Sequence, residues 1–179
     1  MPLADLLRAR TGQPGIQPMD QPKGGAGKGK LIAMIGAPAA ALLIGTVSQW
    51  EGKRNDPYRD IVGVMTVCYG ETRVQMRRYT DAECEDMLAE GLTDFAGPVL
   101  ARNPELRGHP NQWSAATSLA YNIGVPAYQR STVARRFSEG RWREACDAIL
   151  LWNRAGGRVV KGLDSRRRAE RELCRKGLA

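Results

Sequence analysis

Glu51, Asp60 and Thr66 fall within one short stretch, Glu51-Gly52, then seven residues, then Asp60-Ile61-Val62-Gly63-Val64-Met65-Thr66. Two carboxyl groups and a hydroxyl suit acid–base hydrolysis. Cleaving a glycosidic bond needs one protonated carboxyl for the leaving oxygen and one ionised carboxylate to direct water or stabilise the sugar cation. Glu51 follows Trp50 at the end of an apolar run, where desolvation would raise its pKa and keep it protonated. Asp60 stands in a polar stretch beside Arg59, which favours its ionised form. The Thr66 hydroxyl can donate or accept, and so could hold a water between the two acids. Each residue alone has an ordinary reading: a helix-end acid, a turn residue near Pro57, a strand threonine. The combination is what points to chemistry.

The composition narrows the alternatives. A chain of 179 residues with 42% hydrophobic residues holds one domain of ordinary size plus a tail. The net charge of +8 favours a polyanionic partner, whether nucleic acid, an anionic membrane or a bacterial wall. His109 is the one histidine, no close cluster of histidine, cysteine and carboxylate accompanies it, and no glycine-rich phosphate loop follows a strand-like run. No metal and no cofactor are expected.

The elements that must position the three residues begin upstream. Residues 1–30 are rich in Gly, Pro, Gln and Lys, with Arg8, Arg10, Lys23, Lys28 and Lys30 against Asp5 and Asp20, and read as a disordered basic tail. Residues 31–49 carry no charge and are long enough to cross a bilayer as a helix, with the basic flank keeping the amino terminus cytoplasmic. The segment is weakly apolar. Leu31, Ile32, Ile35, Leu42, Leu43, Ile44 and Val47 favour insertion by roughly 0.3 to 0.6 kcal/mol each, about 2 to 4 kcal/mol together. Gly36, Pro38, Gly45, Thr46, Ser48 and Gln49 oppose it, so such a helix could leave the membrane again. A cleaved signal peptide ending near Ala37-Pro38-Ala39 and a buried soluble helix are the rival readings.

All four cysteines, Cys68, Cys84, Cys146 and Cys174, follow the apolar run. That placement suggests two disulfides in an oxidising compartment, with Cys68–Cys84 and Cys146–Cys174 the favoured pairing among three. Four reduced core thiols are the alternative.

Beyond Trp50, the stretch from Val62 to Gly70 has the texture of a small β-hairpin and is the one good strand signal. Thr80 with Glu83 is a capping-box pattern, and a helix is expected from there to Gly97-Pro98. Further helices are expected over Asn111 to Asn122, Ser131 to Glu139 and Gly140 to Trp152, with a last one from about Asp164 or Ser165 to Gly177. Trp113, Tyr121 and Trp142 sit at apolar spacing and read as core. The expected class is α+β, mostly helical, with a small β-hairpin lobe. Residues 50–179 form its catalytic domain.

Glu51, Asp60 and Thr66 at these spacings, within Trp50-Glu51-Gly52 and the run from Asp60 to Gly70, resemble the phage lysozymes of glycoside hydrolase family 24. Leu119-Ala120-Tyr121-Asn122-Ile123-Gly124, Trp152-Asn153-Arg154-Ala155-Gly156-Gly157, Lys161-Gly162-Leu163 and Arg166-Arg167 are similar to later landmarks of that family. Together with the weakly apolar segment, the chain resembles the signal-arrest-release (SAR) endolysins of phages that infect Gram-negative hosts. The resemblance implies a lysozyme-like fold with a helical carboxy-terminal lobe. It implies hydrolysis of the β-1,4 bond between N-acetylmuramic acid and N-acetylglucosamine in peptidoglycan, with inversion. Glu51 would be the general acid, and Asp60 and Thr66 would position water.

Tyr69, Asn122, Trp152 and Asn153 are candidate sugar contacts, as aromatic faces and amide groups. Residues 31–49 would hold the enzyme inactive in the host inner membrane, and release would free it as a monomer in the periplasm, with no nucleic-acid partner. The apolar run contains no cysteine, which argues against activation by thiol exchange. The basic residues Arg166, Arg167, Arg168, Arg171, Arg175 and Lys176 read as a solvated helix face or a contact for acidic wall polymers or lipid head groups. Two other functions remain compatible with the sequence: a lytic transglycosylase acting on the same bond, and a non-enzymatic membrane-anchored wall binder.

Overall fold

A computed structural model describes residues 25–60 and 63–178. The first element is a bent helix pair, α1 (Ala26–Ile35) and α2 (Ala37–Ser48), whose axes turn by 118°. Gly36 makes the break at φ 80° and ψ 153°, a conformation that side chains disfavour, and Pro38 lies in the first turn of α2, where its missing N–H costs nothing. The expectation of one continuous spanning helix over residues 31–49 is therefore corrected for this conformation. Among the described residues no single helix is long and apolar enough to cross a membrane, although the bent pair together has the length and composition of a broken span.

The apolar run is core instead. Leu31, Ala40, Leu43 and Val47 are buried against Leu88, Ala89, Leu92 and Ala96 of the long helix α3 (Asp81–Arg102). The expected tail boundary at residue 30 also shifts, because residues 26–30 belong to α1. The part of that tail up to residue 24 lies outside the described residues. Gly25, at the amino terminus of α1, has no side chain to cap it, and α3 supplies the cap: Lys28 N and Gly27 N donate to the buried Asp86 carboxylate at 2.8 and 3.2 Å. A Cβ on Gly27 would collide with the Asp86 carbonyl, so glycine permits the close approach of α1 to α3. Lys28–Glu85 and Lys30–Glu90 ion pairs flank the contact.

The hairpin consists of β1 (Arg54–Arg59) and β2 (Met65–Cys68), antiparallel, with Tyr58 opposite Thr66 and an irregular register between Arg54 and Tyr58. The first of these strands carried no sequence signal, since Asp56-Pro57 interrupts it. A Cys68–Cys84 disulfide ties β2 to the start of α3. Thr80 and Glu83 form the full capping box there. Helix α3 continues past Gly97-Pro98 to Arg102, beyond the expected stop. Pro98 removes a single backbone donor, while the next turn buries Val99 and Leu100 in the core.

The carboxy-terminal lobe comprises α4 (Pro110–Ile123), α5 (Val125–Gln129), α6 (Thr132–Ser138), α7 (Trp142–Ala148) and α8 (Lys161–Arg175). Leu106, Trp113, Leu119, Tyr128, Val133, Phe137 and Ile149 form its core, and a Cys146–Cys174 disulfide joins α7 to α8. A short second hairpin, Arg154–Ala155 with Arg158–Val159, precedes α8 and was not expected from the sequence. It turns on Gly156 and Gly157, both at positive φ. The last helix begins at Lys161, three residues earlier than the capping signals at Asp164 and Ser165 suggested.

Candidate active site

Glu51 follows the carboxy-terminal end of α2, its N–H donating to Val47 O at 3.3 Å. Its side chain is buried, with the whole residue 4% exposed. Arg166 of α8, 115 residues away, donates from Nη1 to Glu51 Oε1 at 2.9 Å. Oε2 is buried and has no hydrogen-bond partner among the described residues. Desolvation beside Trp50 is thus not the only influence on this carboxyl, because a buried guanidinium stands directly on it. Nothing in the linear chain connects the two.

Asp60 and Thr66 meet on the backbone of one residue, Val64. The Asp60 N–H donates to Val64 O at 2.9 Å, Val64 N–H donates to Asp60 Oδ1 at 2.8 Å, and Thr66 Oγ1 donates to the same Val64 O at 3.0 Å. Gly63 N also donates to Asp60 O at 3.0 Å, and Arg59 Nη1 to Gly63 O at 2.9 Å. The hairpin turn therefore fixes the acid and the hydroxyl together through local bonds. Thr66 is 1% exposed, and its proton is committed to Val64, so its oxygen faces any further partner as an acceptor.

Behind Glu51 lies a buried polar cluster. Arg166 Nε and Arg167 Nη2 donate to Glu170 Oε1 at 3.1 and 3.3 Å, and Ser118 Oγ of α4 donates to the same oxygen at 2.6 Å. Arg167 Nε lies 3.0 Å from Glu170 Oε2, a charge contact without hydrogen-bond alignment. Arg167 Nη2 donates to Asn122 Oδ1 at 3.0 Å. Arg166, Arg167 and Glu170 are at most 1% exposed. Burial pushes the Arg167 pKa down to about 10, with Arg166 adding to that effect and Glu170 opposing it.

This corrects the reading of the basic run as a solvated face: its first two arginines are interior, and Arg171 and Arg175 pair with Asp147. Arg168 alone of the three-arginine run follows the expectation, being exposed and paired with Asp164 at 2.7 Å. The spacing of Arg166 and Arg167 to Glu170 was visible as intrahelical pairing, but burial was not. A cluster carrying two guanidiniums survives inside a protein only with matched anions.

The candidate sugar contacts separate. Asn122 is buried and its Oδ1 accepts from Arg167, which ties it to the cluster. Tyr69 is half-buried between the hairpin and the α1–α3 core, and burial pushes its hydroxyl pKa up. Trp152 packs partly buried on the carboxy-terminal core, and Asn153 Nδ2 donates to Asp164 Oδ1 at 2.9 Å. Glu71, just past Tyr69 and Gly70, is turned inward. Burial disfavours its charge, yet hydrogen bonds from the Arg73 side chain and from the backbone of Arg73 and Thr72 outweigh that and hold its carboxyl below the usual range. No group of three or more potential metal-ligating side chains comes together among the described residues.

An acid buried against an arginine, and a carboxylate and hydroxyl gathered by a hairpin turn, stand on a mostly helical α+β frame of the lysozyme-like class. The phage lysozyme family model matches residues 48–170, and the chain belongs to that family. It is 38% identical over 129 residues to the SAR-endolysin of bacteriophage PS119, covering 69% of this chain and 75% of that one. To the SAR-endolysin of Pseudomonas phage phiKMV it is 39% identical over 145 residues, covering 78% of this chain and 89% of the relative. The crystal structure of the active form of the P1 phage endolysin Lyz superposes with a TM-score of 0.64 at 27% identity, covering 87% of this chain and 92% of that one.

Proposed function

We propose that this protein, a phage endolysin of the SAR type that degrades host peptidoglycan, is a muramidase in which Glu51 is the general acid and Asp60 with Thr66 directs the attacking water. The observation that carries the reading is the division of labour at Glu51: Oε1 is occupied by Arg166, while Oε2 has no partner among the described residues. The proton delivered to the glycosidic oxygen would leave from Oε2. On the hairpin, a water donating to the Asp60 carboxylate and to Thr66 Oγ1 would aim its lone pair at the anomeric carbon. Thr66 is suited to accept because Val64 O already takes its proton. As the water attacks, Asp60 takes its proton, and the bond to the leaving sugar breaks as Glu51 gives up its own. Glu51 is 4% exposed in this conformation, so a substrate reaches it only after a local opening.

The same placement supports control by membrane attachment. Association with the membrane and later release to the periplasm follow from the SAR type; we propose further that residues 31–49 provide the tether, with the amino terminus cytoplasmic. Glu51 sits two residues beyond that segment, and the contacts of Leu31, Leu43 and Val47 with α3 exist only when the segment lies on the protein. A segment held in lipid could not make them, and the arm carrying Glu51 would be displaced from Arg166.

The test is clearing of outer-membrane-stripped Gram-negative cells by wild type and Glu51→Gln, with mass spectrometry of the released fragments. Reducing-end products that disappear in the variant are expected. Anhydro products would identify a transglycosylase, and unchanged clearing by the variant would move the acid elsewhere.

A further inference from the structure

We propose that Glu170 is a positioning residue for the reaction: it holds Arg166 and Arg167 from behind, fixes Arg166 Nη1 on Glu51 Oε1, and supplies the counter-charge that lets Glu51 carry a transferable proton beside two guanidiniums. The inference rests on Glu51 being the general acid. Glu170 is wholly buried, sits one helical turn from Arg166, and receives hydrogen bonds from Ser118, Arg166 and Arg167. Nothing exposes it to substrate, so it acts through Arg166.

The charge arithmetic gives it a role beyond packing. With Glu51 ionised, Arg166 and Arg167 are balanced by Glu51 and Glu170 and the buried cluster is neutral. With Glu51 protonated, as a general acid must be before the reaction, one positive charge is uncompensated. Without Glu170, the protonated state would leave both guanidiniums bare in the interior, where uncompensated charge is costly. The cluster would then draw the proton off Glu51 and disarm the acid.

The charged groups in contact with this chain of pairs are few. Arg166 faces Glu51 from α8, and Glu170 and Arg167 come from the same helix. Across from them α4 contributes only neutral Ser118 and Asn122. Asp60, on the hairpin, has its own bonds to Val64.

The experiment is the pH dependence of kcat/KM on purified peptidoglycan for the released full chain, comparing wild type with Glu170→Gln and Arg167→Met. A general acid must be protonated, so the alkaline limb of the profile follows it. Removing the negative charge with Glu170→Gln should move that limb to lower pH by on the order of one unit. Arg167→Met removes a positive charge and should move it the other way by a similar amount. Glu170→Asp, keeping the charge, should restore the wild-type limb.

Damage to packing would lower amplitude without moving the limb in opposite senses, since limb position does not depend on the folded fraction. Limbs that stay in place in both variants overturn the proposal. If Glu170→Gln does not fold, Arg167→Met decides alone, an unmoved limb overturning the proposal and an alkaline shift sustaining it. Loss of activity in Glu51→Gln checks the underlying assignment separately: a variant that remains active would refute the general-acid reading itself, whatever the limbs do.

Discussion

The two sides of the proposed catalytic constellation are held by opposite means. Asp60 and Thr66 are positioned locally, by bonds to Val64 within a single turn, whereas Glu51 is positioned by Arg166 across 115 residues and by the packing of α1 and α2 on α3 and α4. The hairpin side can form as soon as its own strands pair. The Glu51 side exists only when the amino-terminal helices and α8 are in place together. That difference makes the proposed acid the natural point of control: a segment withdrawn into a membrane would leave the hairpin intact while displacing Glu51.

The largest expected effects are on activity. Glu51→Gln and Asp60→Asn should each lower turnover by roughly 10² to 10⁴, the usual worth of a positioned acid or base. Asn at position 60 still accepts from Val64 N–H, so that variant should keep the wild-type unfolding midpoint, separating charge from turn geometry. Equal activity in Asp60→Asn and wild type would remove Asp60 from the chemistry.

Next in size is the stability of the long-range side. Arg166→Ala leaves Glu51 and Glu170 buried without their shared partner and should cost about 3 to 5 kcal/mol, read from urea unfolding. A loss below about 1 kcal/mol would mean that water replaces the arginine and that the acid is not held as described.

Gly27→Val tests how α1 is anchored. Its side chain would strike the Asp86 carbonyl and open the Asp86 cap, so hydrogen exchange should rise across residues 26–48 while the 54–68 hairpin remains protected. Equal exchange in both regions would show that the two sides fold as one unit.

On the local side, Thr66→Val removes one buried hydrogen bond and should cost about 1 kcal/mol in stability together with a partial loss of activity. Thr66→Ser, which keeps the hydroxyl, should recover both. The smallest effect concerns pH. The folded-state pKa of Glu71 lies below its ordinary 4.5, so its stabilising contribution is complete above that pH and is lost as pH falls through the lower folded value. Glu71→Gln should therefore flatten the acid side of the stability curve near the hairpin without altering it at neutrality; an unchanged acid side would place the ion pair with Arg73 outside the folding balance.

Much of this was legible in the linear chain because it depends on neighbours in sequence. Of the hairpin, only the strand Met65–Cys68 announced itself, through the β-branched residues and glycines between Val62 and Gly70, while its partner Arg54–Arg59 did not; the capping box at Thr80 marked the start of α3. Pro98 misled as a stop signal, because buried Val99 and Leu100 stabilise the next turn more than one missing donor weakens it. The apolar run illustrates a different limit. Its composition suits both a bilayer and a protein core, and only the presence of α3 and α4 decides that Leu31, Leu43 and Val47 are covered by protein in this conformation.

The sequence by itself determined the residue types able to do acid–base chemistry, the weak apolarity that makes a reversible membrane segment possible, and the local turn that gathers Asp60 and Thr66. Tertiary structure alone decided that Arg166 and Arg167 point inward and that Glu51 is held by one of them. Spacing along a helix reveals which side chains share a face, but the free energy of a charge depends on what lies opposite that face. For Arg166 the opposite partner is Glu51, and only folding brings the two into contact.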